Sequence, residues 1–368
     1  MPSGSPKRAA HCSGSAAFPR VRGRLFAMTT TAKRRWSREL DSEVDGIAFA
    51  STGPVLLHGY DPPAGGKWMD DVIPGKLGAF DRSTGERLWI APCEVGYGRG
   101  FGAGLGQKGQ VIVLGPSQGG HRMVRMAMAD GELLESNDIE PFDDAVVHSE
   151  VVVCANARSV WGLDTLDLQE SWRYGREGER YHGLALCGAY VYATVSSTES
   201  GKYGVVRLNA KTGNFEGYLL QPVMPLIRGI AAAGAAVAIV TCELEFLLDD
   251  DNRMNFMLQL ASHPDEGPRD TLSIAALRAD ASAGEEPLWY RILETRPVDD
   301  LPEISVTADS AKFYLERQAH LEAVDGLSGR TLGSWTVPGL DEKVAFQVVD
   351  GAGVLAEETR VSVFELPA

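Results

Sequence analysis

A strand-and-turn pattern recurs seven times along the chain and constrains its fold more than any other feature. Each copy has a short apolar strand, an anchor residue, a turn that ends in glycine, and an aromatic residue about eight positions after the anchor. The clearest copy is residues 79–89, with Asp81 as its anchor, Gly85 in its turn and Trp89 as its aromatic residue. The anchors fall near residues 81, 127, 164, 209, 278, 325 and 365. Most of these spacings are close to the roughly forty residues that one four-stranded propeller blade needs.

A second series of turn signals runs in step with the anchors, and a short apolar strand follows each of them. Gly53, Gly188 and Gly234 are examples. Two turns in each repeat predict blades of four antiparallel strands. The seventh copy is split, because its apolar strand at 363–365 lies at the C-terminus and its aromatic strand at 34–40 lies near the N-terminus. We therefore predict an all-β, seven-bladed β-propeller over residues 34–368, with the N-terminal strand completing the last blade and closing the ring.

The residues of the repeat have structural roles in this interpretation. Aspartates such as Asp81, Asp164 and Asp325 begin turns, where their carboxylates can accept backbone N–H groups. Glycines such as Gly85 and Gly213 allow a positive φ at low steric cost. Five of the seven tryptophans fall on the predicted outer strands, where they are expected to wedge between neighbouring blades: Trp36, Trp89, Trp172, Trp289 and Trp335. The long spacing between anchors 209 and 278 predicts an insertion near residues 243–270.

The charge is unevenly distributed along the chain. Residues 1–38 contain nine basic residues and no Asp or Glu, so the remainder has a net charge of −24, compared with −15 for the whole chain. We interpret residues 1–33 as a disordered basic leader, with translation from Met28 as an alternative. The leader contains no apolar run of seven or more residues, unlike a secretory signal, so we expect a cytoplasmic location. The acidic body favours protein partners with a basic surface over nucleic acid, and no membrane contact is expected.

The string at 79–89 resembles the repeat of PQQ-like β-propellers, the quinoprotein alcohol dehydrogenase-like and BamB-like family. The resemblance extends over essentially 34–368, but only 79–89 matches every position of the motif. It implies a propeller, WD40-like in architecture, and the family includes quinone dehydrogenases, the assembly lipoprotein BamB, and sensor or scaffold propellers. The dehydrogenases typically carry two adjacent cysteines beside the quinone. This sequence has no Cys-Cys pair, so we expect no cofactor.

Other chemical motifs are weak. The glycine-rich stretch at 96–106 has the spacing of a dinucleotide fingerprint, but a strand follows it where that fingerprint requires a helix. No two of the seven histidines lie within five residues of each other, so no metal site is expected. No set of catalytic residues can be assigned, and we expect the protein not to be an enzyme.

The first candidate site follows from propeller geometry. Residues just before each innermost strand line one mouth of the central channel. The first blade contributes Glu43 or Asp45, and the others contribute Arg99, Asp144, Tyr181, His182, Arg228, Glu303 and Lys343. The basic side chains could hold an anion, and the others could act as acids, bases or hydrogen-bond partners. The alternative is that these charged side chains line a water-filled channel and only neutralise one another, without binding a ligand.

The second candidate site consists of two long loops that carry apolar residues among acidic ones. Trp68 and Met69 lie in the loop at 60–76, and Phe246, Met254 and Phe256 lie in the insertion. Apolar anchors of this kind suit protein recognition, unless they fold back onto the blades. We therefore expect a non-catalytic protein-interaction or scaffold propeller that is one subunit of a larger assembly. The alternative is an enzyme or small-molecule sensor with its ligand at the channel mouth, because the fold alone does not determine function.

Overall fold

The structure is a computed structural model, which describes residues 30–49, 53–61, 74–96, 101–224, 226–243, 269–297 and 304–366. These residues are almost entirely strands and turns, and the helical segments among them are two single turns of 3-10 helix, Gln107–Gly109 and Leu340–Glu342. Within these ranges, no helix has the length and apolar character needed to cross a membrane.

In the described ranges, twenty-nine strands form seven sheets. Two strands near the N-terminus are β1 (Thr30–Thr31) and β2 (Lys33–Glu39). Blade 1 contains β3 (Glu43–Phe49), β4 (Val55–Tyr60), β5 (Pro74–Phe80) and β6 (Arg87–Gly96). Blade 2 contains β7 (Gly102–Leu105), β8 (Gln110–Ser117), β9 (Gly120–Ala127) and β10 (Leu133–Ile139). Blade 3 contains β11 (Asp144–Val147), β12 (Val151–Ala155), β13 (Val160–Asp164) and β14 (Glu170–Tyr174).

The remaining blades repeat the same order from the innermost strand outward. Blade 4 contains β15 (Glu179–Cys187), β16 (Tyr190–Ser197), β17 (Tyr203–Asn209) and β18 (Phe215–Met224). Blade 5 contains β19 (Ile227–Ala233), β20 (Ala236–Glu243), β21 (Arg269–Arg278) and β22 (Trp289–Pro297). Blade 6 contains β23 (Ile304–Ala308), β24 (Lys312–Arg317), β25 (His320–Asp325) and β26 (Thr331–Thr336). Blade 7 contains β27 (Ala345–Val349), β28 (Ala352–Glu357) and β29 (Arg360–Glu365), and β2 is its outer strand.

The predicted seven-bladed, all-β propeller is therefore confirmed. Each innermost strand contacts the innermost strands of both neighbouring blades, so the ring is closed. Strand β2 pairs antiparallel with β29, with Arg34 opposite Phe364, as the split seventh repeat predicted. The predicted insertion near 243–270 falls between β20 and β21, largely outside the described residues.

The N-terminal segment makes a contact that the sequence did not predict. Strand β1 pairs in parallel with β26, with Thr30 opposite Trp335, and adds a fifth strand to blade 6. Ala32 is buried between blades 6 and 7. The ordered strands thus begin before the predicted boundary at residue 34, and residues 30–39 join the last two blades.

Seven hydrophobic clusters fill the seven interfaces between adjacent blades. Four of the outer-strand tryptophans donate their indole N–H to a turn carbonyl of the next blade. The pairs are Trp36 to Arg82 at 2.9 Å, Trp89 to Met128 at 2.9 Å, Trp172 to Ala210 at 3.0 Å and Trp289 to Gly326 at 2.9 Å. These rings therefore pack between blades, as predicted, and each also satisfies a carbonyl in the adjacent turn.

The turn chemistry is also as predicted. The carboxylate of Asp81 accepts the backbone N–H groups of Ser83 and Thr84, both at 2.8 Å. Gly213 has a φ of +68°, and a Cβ atom there would lie 2.4 Å from the ring of Trp172. Glycine is required at this position both by the backbone conformation and by the tryptophan that covers it.

Candidate functional site

Three innermost strands are bulged near their N-terminal ends, which form the predicted channel mouth. The strand register skips Asp45 in β3, His182 and Gly183 in β15, and Arg228 in β19. A bulge adds a residue to one strand and changes the direction of its side chain. The structure thus gives a special backbone position to three of the residues that propeller geometry had placed at the mouth.

Asp45 uses its position to hold a buried histidine. Its Oδ1 atom lies 2.5 Å from Nδ1 of His58, and Nε2 of that ring lies 3.0 Å from the carbonyl oxygen of Val95. Burial by itself would lower the pKa of His58, but the hydrogen bonds and charges of Asp45 and Cys93 outweigh it and raise the pKa to about 10. Both ring nitrogens face acceptors, so the imidazolium donates to both. The hydrogen bonds of His58 to Asp45 and to Val95 join β3, β4 and β6. Asp45 therefore has a structural role.

Asp144 compensates for the bulge in the neighbouring blade. Its Oδ2 atom accepts the backbone N–H of Leu184 at 2.7 Å, and its Oδ1 atom accepts that of Ala145 at 2.8 Å. Burial raises the pKa of Asp144 to about 6, although the two N–H donors oppose the shift. Asp144 therefore links blades 3 and 4.

Tyr181 and His182 are neighbours on β15 with different surroundings. Tyr181 is fully buried in the core between blades 3 and 4, so its side chain is not available to a ligand at the mouth. His182 is half-buried, with Nε2 2.9 Å from the hydroxyl of Ser196. Burial lowers the pKa of His182, which keeps the ring neutral and able to accept or donate a hydrogen bond.

The basic residues at the mouth divide into paired and unpaired ones. The ammonium of Lys343 lies 3.0 Å from the carboxylate of Glu316, which is only 2% exposed and also accepts the hydroxyl of Ser305 at 2.8 Å. Lys343 is therefore neutralised locally. Arg228 is exposed and forms no ion pair with any residue that the structure describes. The remaining predicted site residues lie outside the described residues: Arg99, Glu303, Trp68, Met69, Phe246, Met254 and Phe256.

A cavity of about 370 Å³ lies beside the mouth, between β2 and the facing side of blade 1. Gly78 contributes to its floor. The equivalent residue of blade 3, three positions before the turn aspartate, is Trp161, whose ring is buried. Arg38 and Arg87 line the cavity, and neither is ion-paired within the described ranges. A Cβ atom at Gly78 would lie 3.0 Å from the ring of Phe80 and 3.4 Å from the side chain of Ile90, so these two residues occupy the space beside Gly78.

Two adjacent outer strands expose large apolar side chains, a feature that sequence reasoning missed. On β6, Leu88 is 54% and Ile90 48% exposed, and on β10, Leu133 and Leu134 are each 43% exposed. Ile90 and Leu133 line one depression of about 520 Å³, formed by residues 90–94 and 130–133. Ile90 also lines the 370 Å³ cavity, where its side chain lies beside Gly78. We call these four exposed side chains the outer-rim surface. Exposed apolar patches on a protein exterior can mark interaction sites.

The outer-rim surface has an acidic border. Glu94 is bound by Arg122 at 2.9 Å, whereas Asp130 and Glu132 line the same depression and have no ion pair among the described side chains. Among the described strands, none pairs with the outer backbone edge of β6. The chemistry therefore suits a segment with apolar side chains flanked by Lys or Arg.

Over the ranges that the structure covers, no group of three or more His, Cys, Asp or Glu side chains is arranged to hold a metal ion.

Residues 74–217 match the family model described as outer membrane protein assembly factor BamB. These residues are PQQ-like propeller repeats. The resemblance drawn from the string at 79–89 is thus confirmed, since that string lies within the matched PQQ-like segment. No curated protein sequence matches the chain.

Many solved structures share the architecture. BamB from Moraxella catarrhalis is 12% identical, with a TM-score of 0.51 over 91% of this chain and 100% of that one. The Pan2 WD40 domain of Neurospora crassa is 14% identical, with a TM-score of 0.54 over 92% of this chain and 98% of that one. At this identity, the likeness shows the fold alone.

Proposed function

We propose that this protein is a non-catalytic interaction propeller, a subunit of a larger assembly, which binds a protein partner through the outer-rim surface. A scaffold or interaction role fits the BamB-like and WD40 propellers that the chain resembles. The observation that carries the proposal is the exposure of four large apolar side chains on two adjacent outer strands beside unpaired acidic residues.

The energetics favour covering this surface. Full burial of a leucine or isoleucine is worth about 1.5–3 kcal/mol relative to full exposure. The four side chains are about half exposed, so each has roughly 1 kcal/mol left to gain from a partner. Asp130 and Glu132 would attract a basic partner and set its register more than its affinity.

The two apolar and acidic loops identified in the sequence are proposed as further contacts for the same partner. The loop with Trp68 and Met69 connects β4 and β5 of blade 1, the blade that carries half of the outer-rim surface. The segment with Phe246, Met254 and Phe256 connects two strands of blade 5. The cytoplasmic location stays a prediction from the sequence.

Replacing Ile90 and Leu133 together by aspartate is expected to abolish partner capture. Two apolar side chains that the partner would cover become negative charges, which have the same sign as the neighbouring Asp130 and Glu132. Leu327→Asp is the matched control, since Leu327 is 57% exposed in a turn of blade 6. The measurement is quantitative affinity purification from the native source, with the thermal midpoint of each variant checked. Retention of the same proteins by the double variant would refute this site.

A second candidate function is a small-molecule sensor or enzyme with its ligand at the channel mouth. Arg228 lies at the bulge of β19, is exposed and has no ion pair with a described residue, which favours this candidate. His182 lies in the adjacent blade 4, and Asp144 lies in blade 3. The ligand would be an anion such as a carboxylate or phosphate.

Thermal-shift titration with small carboxylates and phosphates tests this candidate. Wild-type protein is expected to gain stability with a saturable ligand, and Arg228→Ala is expected to lose that gain because the unpaired cation is gone. Arg180→Ala, which removes another exposed arginine near the bulge of β15, should behave like the wild type. Equal stabilisation of the Arg228 variant, or none of the wild type, would eliminate the candidate.

A further inference from the structure

An aromatic cage between blades 3 and 4 contains an arginine of the protein itself. Arg176 lies in the short connection between β14 and β15, and its Cζ atom is 3.9 Å from the ring centre of Phe215. The same atom is 5.6 Å from the ring centre of Tyr174 and 6.0 Å from that of Tyr218. Cations are attracted to aromatic faces at distances up to about 6 Å. The three rings therefore form a site for a positive charge.

The walls of the cage hold one another in place. The rings of Tyr174 and Phe215 are parallel, with centres 5.7 Å apart, and Tyr218 meets Phe215 edge-on at 5.4 Å. The carboxylate of Glu179 accepts the hydroxyl of Tyr218 and, at 2.6 Å, that of Tyr181. These hydrogen bonds fix a negative charge beside the rings. The cage is thus preorganised for a cation.

The aromatic residue of blade 4 departs from the rule that four other outer strands follow. Those strands use a tryptophan to reach a turn carbonyl of the next blade, whereas Tyr218 bonds to Glu179 in its own blade. The corresponding carbonyl of blade 5, that of Ala279, accepts instead from Tyr192 at 2.8 Å and from Arg207 at 2.9 Å. Tyr218 is therefore not needed to join blades 4 and 5, and its position serves the cage.

The side chain of Arg176 is held by the faces of the rings, by a hydrogen bond with Tyr218 and by attraction to the carboxylate of Glu179. Its backbone is fixed, because its N–H donates to the hydroxyl of Tyr181 at 3.1 Å and its carbonyl accepts from the N–H of Glu179 at 3.3 Å. Its side chain is exposed and has no ion pair with a described residue. Exposed cation–π contacts are individually weak. A change of rotamer would therefore empty the cage without moving the chain.

We propose that this cage binds a cationic side chain of a partner protein and that Arg176 is its internal occupant in the free protein. The inference rests on the proposed function only for the origin of the cation. The net charge of −24 over residues 39–368 favours partners that carry lysine or arginine. The cage and the outer-rim surface lie on different blades, so each can be tested without the other.

The experiment uses the purified full chain and tetramethylammonium chloride as the probe, with sodium chloride at matched ionic strength as the blank. Saturation-transfer NMR follows the methyl signal of the probe. Arg176→Ala is expected to bind at least about tenfold more tightly than the wild type, because the internal competitor is removed. Arg180→Ala is the control for loss of a nearby exposed arginine. The double variant Arg176→Ala with Phe215→Ala is expected to lose the gain.

A lysine-containing peptide should displace the probe from the Arg176→Ala protein, and the same peptide with that lysine acetylated should not. No gain in the Arg176 variant, or a gain that survives loss of Phe215, would overturn the cage. Binding of the free ion without competition by the peptide would overturn the protein side chain as its ligand. Arg176→Gln replaces the alanine variant if the latter lowers the thermal midpoint. The Ile90→Asp, Leu133→Asp protein should bind the probe like the wild type, which separates the two proposals.

Discussion

Trp172→Ala is expected to lower the free energy of unfolding by about 3–5 kcal/mol, the range found when a buried tryptophan is truncated to alanine. The ring is 8% exposed and packs on Gly213 of the next blade. The substitution leaves a cavity between blades 3 and 4 and removes the donor to the carbonyl of Ala210. Urea unfolding followed by circular dichroism measures the loss.

Two controls separate the contributions to that loss. Trp172→Phe retains most of the ring but not the N–H, so it should cost less, including about 1 kcal/mol for the hydrogen bond. Leu327→Ala removes an exposed side chain and should change stability by less than about 0.5 kcal/mol. A Trp172→Ala protein as stable as the Leu327 variant would mean that the tryptophan does not hold the blades together.

Asp45→Ala is expected to cost about 3–5 kcal/mol at pH 6–7, because it leaves the buried imidazolium of His58 without its counter-charge. Asp61→Ala is the matched control, since the Asp61–Lys76 ion pair lies in the same blade but is exposed. Exposed pairs are worth about 0–1 kcal/mol. Chemical denaturation of both variants measures the difference.

The His58 pair also gives a pH dependence. The pKa of His58 is about 10 in the folded protein and 6.5 as the ordinary value. A group whose pKa is higher in the folded than in the unfolded protein stabilises the fold. Its contribution is complete at pH values below the unfolded pKa and is lost as the pH rises to the folded pKa. Stability of the wild type should therefore fall between pH 6.5 and 10, and that of His58→Phe should fall much less over the same range, because this titration is absent. Parallel curves for the two proteins would show that His58 is not charged in the fold.

The repeat predicted the fold because its determinants are local. Asp81, Gly85 and Trp89 encode a turn and an outer strand within eleven residues, and similar strings recur along the chain. The closing strand could be placed because Trp36 stands where the last blade lacks its aromatic residue. The pairing of β1 with β26 could not, because Thr30 and Thr31 carry no apolar pattern.

The sites were less predictable because backbone bulges determine them. Alternation along β15 cannot tell which of Tyr181 and His182 faces the core. The bulge that follows Tyr181 contains Gly183, a residue type that suggests a bulge but does not give the direction of the neighbouring side chains. Leu88 also lies at a bulge, in the outer strand β6. The bulge turns its side chain toward solvent, although the strand pattern does not predict exposure there. The contact between Asp45 and His58 depends on the register of β3 against β4. The spacing of these residues in the sequence does not predict that register.

Site-directed photo-crosslinking tests the central proposal most directly. A benzophenone amino acid is placed at Ile90, at Leu133 or, as the control of equal character, at the exposed Leu327, and each protein is irradiated in its native source. The proposal predicts that positions 90 and 133 capture the same partner protein through a peptide that carries apolar residues beside Lys or Arg. Position 327 should not capture it. Absence of that adduct at both rim positions, or its equal formation at position 327, would contradict the outer-rim surface as the place where this propeller binds its partner.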